Sequence, residues 1–169
     1  MKERLRITID TREQAPWAFP PGEVEASRGT LKSGDYAVTG DEAGFAVERK
    51  SLDDYVGTIG SGWDRFQREL DRMLLFPARV VIVEAPLSDV VAHNYNSPKM
   101  LPRFVLARTA ELIYCGVTVL FADNREIAAG MATMILRQRE RDLPATAGRL
   151  GIPTERLDDY LSVSAIDNA

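Results

Sequence analysis

The hydrophobic pattern divides the chain into short strands first and helices later. Residues 6–10, RITID, are apolar and β-branched and predict a strand. Pro16, Pro20 and Pro21 then disfavour regular structure, and residues 24–34 read as a polar connection ending in the Ser33-Gly34 turn signal. DYAVTG (35–40) and FAVERK (45–50) predict two strands joined by the tight turn Asp41–Gly44, a hairpin. From there the period changes. Ser51 is a candidate N-cap for a helix beginning SLDDYVGTI, and residues 63–76 place Phe66, Leu70 and Met73 or Leu74 on one helical face. RVVIVE (79–84) and VTVLFAD (117–123) are continuous apolar runs, the mark of strands covered on both faces. They alternate with predicted helices over 99–115 and 125–142. This order predicts an α/β fold, a central mixed sheet flanked by helices. Leu143-Pro144 is expected to break the last helix, dividing a domain over 1–142 from a short helical or mobile extension over 143–169.

Composition changes this picture little. The chain has 169 residues, the size of one domain at about 150 residues each. Hydrophobic residues make up 45%, enough for a core, and this excludes disorder over most of the chain. Cys115 is the one cysteine and lies in the apolar run LIYCGVTVLF, so a buried small hydrophobe is expected and a disulfide framework is excluded. No window reaches the roughly 18 apolar residues of a membrane span, and the charged start MKERLRITID has no secretory signal pattern. A cytoplasmic, intracellular protein is expected.

Charge matters more for where it lies than for its total. The net charge of −4 excludes diffuse basic binding to nucleic acid, but not a local site. Acids stand at strand ends: Asp10 ends the first strand, Asp35 begins the second, and Glu48 lies on the third. Side chains alternate along a strand, so Glu48 and Lys50 share a face and Arg49 points to the other. A carboxylate pair with a lysine suits metal-assisted phosphodiester hydrolysis. Hard oxygens hold Mg²⁺ or Mn²⁺, the metal activates water and neutralises phosphate, and the lysine stabilises the transition state as a point charge. The bare pattern D-x₁₂-E-x-K is weak, because charged strand ends are usually just solvated.

Neighbouring strings strengthen it: Asp10-Thr11-Arg12-Glu13, then Gly34-Asp35-Tyr36, then Glu48-Arg49-Lys50-Ser51-Leu52-Asp53-Asp54, and further on Arg65-Phe66. Together, in this order, they resemble the nuclease domain of the XPF family of structure-specific endonucleases, with its GD…ERK-x₃-D motif, over roughly residues 5–140. The chain looks like a stand-alone short form, of bacterial or phage type, without the tandem helix-hairpin-helix module many relatives carry. The resemblance implies a restriction-endonuclease-like core and cleavage of branched, flapped or forked DNA in repair or recombination, leaving 5′-phosphate and 3′-hydroxyl ends. It also implies residue roles. Asp10, Glu13, Asp35, Glu48, Arg49, Lys50 and Asp54 form the expected catalytic set. Within it Asp35, Glu48 and Asp10 are the expected metal ligands and Lys50 the catalytic lysine. Arg12, Arg49 and Arg65 are the expected DNA contacts, with Arg12 and Arg49 touching phosphate or bracing the carboxylates. Asp54 orients Arg49 or Lys50, or simply favours a helix N-terminus.

A homodimer through the C-terminal helices is also implied, with Leu112, Met131, Met134 and Ile135 as candidates that core packing explains equally well. A non-catalytic DNA-binding or scaffold subunit is the alternative, since the family includes partners with decayed sites; the complete acidic set favours an enzyme. Three other signals are weaker. Gly57, Gly60 and Gly62 lack the lysine of a P-loop and read as a joint between helices. Trp17 and Trp63 suit packing at loop edges better than base stacking. Arg137, Arg139 and Arg141 complement a helix C-terminus or line a DNA path.

Overall fold

The computed structural model describes residues 4–66, 68 and 78–149. A six-stranded sheet forms the centre, in the order β2-β1-β3-β4-β5-β6. The strands are β1 (Leu5–Asp10), β2 (Val24–Gly29), β3 (Tyr36–Val38), β4 (Phe45–Lys50), β5 (Ala78–Val83) and β6 (Val117–Phe121). β1 pairs parallel to β2, β3 is antiparallel to both β1 and β4, and β4, β5 and β6 run parallel. The helices are α1 (Leu52–Ile59), α2 (Leu87–Ala92), α3 (Pro102–Tyr114) and α4 (Arg125–Arg149).

Period two along the strands sorts side chains onto two cores. Ile7, Ile9, Tyr36, Phe45, Val47, Val80 and Ile82 pack with Ala128, Ala132 and Leu136 of α4. Val81, Val83, Val117 and Val119 face the other way, onto Leu52, Tyr55 and Val56 of α1, Val90 of α2, and Val105 and Leu112 of α3. Burial on both faces is why β5 reads as an unbroken apolar run. α4 is further latched to the β3–β4 turn, where Arg139 donates to the buried Asp41 at 2.6 and 3.1 Å.

Several sequence expectations need correction. Residues 24–29 are not a polar connection but the edge strand β2; with four of its six positions exposed, it carries no apolar alternation to read. α2 was too short to leave a helical period. The break expected at Leu143-Pro144 does not occur, and α4 continues to Arg149. An interior proline removes one hydrogen bond and crowds the carbonyl four residues back, which kinks a helix without having to end it. Cys115 is exposed, because it caps α3 at a surface corner where Gly116 turns at φ +84°. Leu112 is 1% exposed and belongs to the core, whereas Met134 is 74% exposed. Arg139 and Arg137 tie α4 to Asp41 and to the Glu23 carbonyl, so neither serves a helix C-terminus. Of the helix expected over 63–76, residues 63–66 and 68 are helical and Phe66 is buried; Leu70, Met73, Leu74 and the segment 150–169 lie outside the described residues. Among the described residues no helix is long and apolar enough to cross a membrane.

Gly34 bends the chain into β3. It sits at φ +77°, and a Cβ there would lie 2.6 Å from Ala46 Cβ and 3.2 Å from the Val47 carbonyl oxygen. Gly34→Ala is therefore expected to cost about 1–3 kcal/mol. Gly57→Ala in α1, with nothing near its Cβ, is expected to be neutral or stabilising. Thermal melts of the two variants check this pair.

Candidate active site

β1 and β4 run into one end of the sheet, and the expected residues divide around that rim by parity. Phe45 and Val47 face α4, so Arg49 leans to that side with Trp17 and Tyr36. Glu48 and Lys50 lie on the α1 side, and Lys50 Nζ donates to Glu48 Oε1 at 2.7 Å. The Gly34 turn carries Asp35 alongside β4. Asp35 N–H donates to the Val47 carbonyl at 2.9 Å, and Arg49 N–H donates to Asp35 Oδ2 at 2.8 Å. Asp35, Glu48, Arg49 and Lys50 therefore occupy one place, positioned by a glycine turn and three successive strand residues.

Electrostatics records how close the acids are. Burial pushes the Asp35 carboxyl up from 3.8 to about 7, with Glu48 and Glu13 pushing in the same direction and the Arg49 N–H and Lys50 opposing. Two carboxylates pressed together in a partly buried place form a donor set for a hard divalent cation, which would relieve their repulsion. Among the described residues no third His, Cys, Asp or Glu completes a metal group. Two carboxylates still fit Mg²⁺ or Mn²⁺, since Mg²⁺ usually keeps several waters and takes one or two protein carboxylates.

The remaining candidates occupy different settings. Asp10 is 1% exposed. Its Oδ1 accepts from Arg12 N and Nε at 2.8 and 2.7 Å, and its Oδ2 from Leu31 N and Arg12 Nη2 at 2.7 and 3.1 Å. Burial pushes its pKa up, but these bonds outweigh it and the carboxyl lies below its ordinary value. Arg12 is 68% exposed beside it. Glu13 accepts from Ala15 N–H at 2.7 Å and reaches Arg49 Nη1 at 3.4 Å. Asp54 exchanges hydrogen bonds with Ser51 at 2.6 and 3.2 Å, capping α1. An open cleft of about 610 Å³ runs from Arg49 and Lys50 past Asp53 and Asp54 to Thr58, Ser61 and Arg65. The glycine joint lines it through Gly57 and Gly62.

Glu84, one residue beyond β5, was missed by the sequence reading. Its carboxylate accepts Arg49 Nε and Nη2 at 2.8 and 2.9 Å and Trp17 Nε1 at 2.5 Å. The signal was there: an acid closes the apolar run RVVIVE as Asp10 closes RITID. Glu84 holds Arg49 well above its ordinary pKa, against burial. Both tryptophans already have ring contacts within the chain. Trp17 is buried and stacked on Tyr36 at 4.4 Å, and Trp63 lies beneath the Arg108 guanidinium at 4.2 Å.

The Asp35 shift has a direction for stability. Its folded pKa lies above its unfolded value, so folding favours the protonated form and stability is lost as pH rises from about 4 to about 7. In chelator, Asp35→Asn is expected to melt above the parent chain at pH 8, with the difference closing towards pH 4. Melts across that range check it.

The chain matches the family model described as the ERCC4 domain over residues 9–135. Among solved structures it is similar to XPF from Aeropyrum pernix, with TM-score 0.60 and 20% identity over 90% of this chain and 79% of that one. It is also similar to XPF from Aeropyrum pernix in complex with DNA, with TM-score 0.62 and 20% identity over 94% and 81%. No curated protein sequence matches. A glycine-set aspartate, an E-R-K strand end and a mixed sheet between helices thus coincide with a family match across most of the chain, which belongs to the ERCC4-domain family and has the restriction-endonuclease-like fold of an XPF nuclease domain.

Proposed function

We propose that this chain is a divalent-metal-dependent endonuclease that hydrolyses phosphodiester bonds in branched, flapped or forked DNA inside the cell. The observation that carries this reading is the pairing of Asp35 with Glu48, with Lys50 at 2.7 Å from Glu48 and itself lining an open cleft. Asp35 and Glu48 would hold Mg²⁺ or Mn²⁺, which supplies an activated water and neutralises phosphate charge. Lys50, oriented by Glu48, offers a point charge to the phosphate as negative charge develops there. Arg65 on the far wall and Arg12 on the rim give phosphate contacts without base selection, as a structure-directed enzyme needs. Asp10 serves in this reading as a brace: its bonds to Arg12 and Leu31 shape the loop that carries Glu13. The XPF structure solved with DNA supports a DNA substrate by analogy of fold.

Homodimerisation through the C-terminal helices belongs to the same proposal. α3 exposes Phe104, Leu106, Ile113 and Tyr114, the last 92% exposed, and α4 exposes Met134. Large apolar side chains left exposed on these two helices are material an interface can use.

Two experiments test these readings. With Mg²⁺ or Mn²⁺, the chain is expected to cut flap, fork or junction DNA in preference to linear duplex. Lys50→Ala and Asp35→Asn should fold normally and lose about 100-fold or more in rate. Full activity in both variants would sink the assignment. Sedimentation should find a dimer that Ile113→Lys/Tyr114→Lys converts to monomer; a monomeric parent chain overturns the dimer.

A further inference from the structure

We propose that Glu84 is a positioning residue of this site, closing a ring of contacts that holds Asp35 and Lys50 in place. The inference rests on the nuclease reading and extends it to a residue outside the expected motif. The ring runs through five residues. Arg49 N–H donates to Asp35 Oδ2 at 2.8 Å, and the Arg49 guanidinium forks onto both oxygens of Glu84. Glu84 Oε1 also accepts the Trp17 indole N–H. Trp17 stacks on Tyr36 with ring centroids 4.4 Å apart and 14° between planes, and its backbone N–H donates to the Tyr36 hydroxyl at 2.9 Å. Tyr36 is bonded to Asp35, and the ring is complete.

Glu84 works on the other side of β4 as well. Its backbone N–H donates to the Lys50 carbonyl at 2.9 Å, so one residue steadies both Arg49 and the main chain of Lys50. Arg49 has both edges of its guanidinium on carboxylates, Glu84 on one and Glu13 at 3.4 Å on the other, and its side chain is only 17% exposed. In this arrangement it acts through its backbone N–H and its ion pairs. The loop that brings Trp17 in is pinned separately, because Arg125 at the start of α4 donates to the Ala15 and Pro16 carbonyls. Arg28 on β2 donates to the Asp10 and Glu13 carbonyls at 3.0 and 2.7 Å. Glu84 is thus where this loop, β4 and β5 meet.

The test uses the full chain with Trp63→Phe, which leaves Trp17 as its single tryptophan. Glu84→Gln keeps an acceptor for the indole but loses the charge that grips Arg49. Excitation moves indole electron density away from the pyrrole ring, which a carboxylate at Nε1 favours, so Trp17 emission is expected to shift to the blue. Cleavage with Mn²⁺ on a flap duplex is expected to lose about 10- to 100-fold in kcat, with KM for DNA within about threefold. Glu84→Asp, which keeps the charge, should recover part of the loss. It also serves as the test variant if Glu84→Gln fails to fold, with a smaller loss of kcat expected in it. The double variant Glu84→Gln/Arg49→Gln should be no slower than the slower single one, because the two act as a unit. Parental kcat in Glu84→Gln, unchanged emission, additive losses, or a loss confined to KM would each overturn the positioning role. Absence of cleavage by the parent chain would overturn the nuclease reading instead, and is seen before any variant is made.

Discussion

Repulsion among carboxylates gathered at one end of the sheet is the constraint on which this structure turns. Glu48 and Glu13 press on Asp35, and Glu13 and Glu84 flank Arg49, around the ends of the strands, where water is partly excluded. Left uncompensated, that concentration of charge would disfavour the fold. Arg49 sits among them, forked onto Glu84 and close to Glu13, and Lys50 answers Glu48. Asp35 accepts a backbone N–H, and its pKa is raised first by burial and then by the charge imbalance that Glu48 and Glu13 leave. A divalent cation would remove that imbalance, so the electrostatic stress of the fold and the chemistry proposed for the site have one origin.

The sheet apportions this charge by simple geometry. Successive residues on a strand face opposite sides, so E-R-K at the end of β4 sends its glutamate and lysine towards α1 and its arginine towards α4. The cleft, with Arg65 across it, opens on the first side; the bracing ring of Trp17, Tyr36 and Glu84 forms on the second. Three adjacent residues thus serve two layers. Asp10 shows the same economy in another form. Engaged by four donors, it fixes the turn after β1 and thereby the loop that delivers Glu13 and Trp17.

Much of this was legible before folding. The hairpin, the Ser51 cap, the buried strands and the two-sided sheet follow from alternation and turn residues. β2 was hidden because an exposed edge strand has no apolar face to announce it. Cys115 is exposed although its neighbours are apolar, because it stands at the corner between a helix end and a strand. Pro144 carries a local penalty that does not end the helix around it. Glu84 was visible as the end of RVVIVE, but nothing local distinguished it from any solvated acid at a strand end.

The chain by itself determined the parts. It set which residues alternate, where glycine must turn, and that Glu48 and Lys50 share a face. These are local consequences of backbone geometry, and each needs a few neighbouring residues only. Tertiary structure decided which parts meet. The parallel pairing of β4 with β5 brings Glu84 to Arg49, and the turn at Gly34 brings Asp35 to Glu48. The loop after β1 carries Trp17 under both. Those encounters join residues up to 67 positions apart, Trp17 and Glu84, and come from packing two cores against one sheet, which no local pattern encodes.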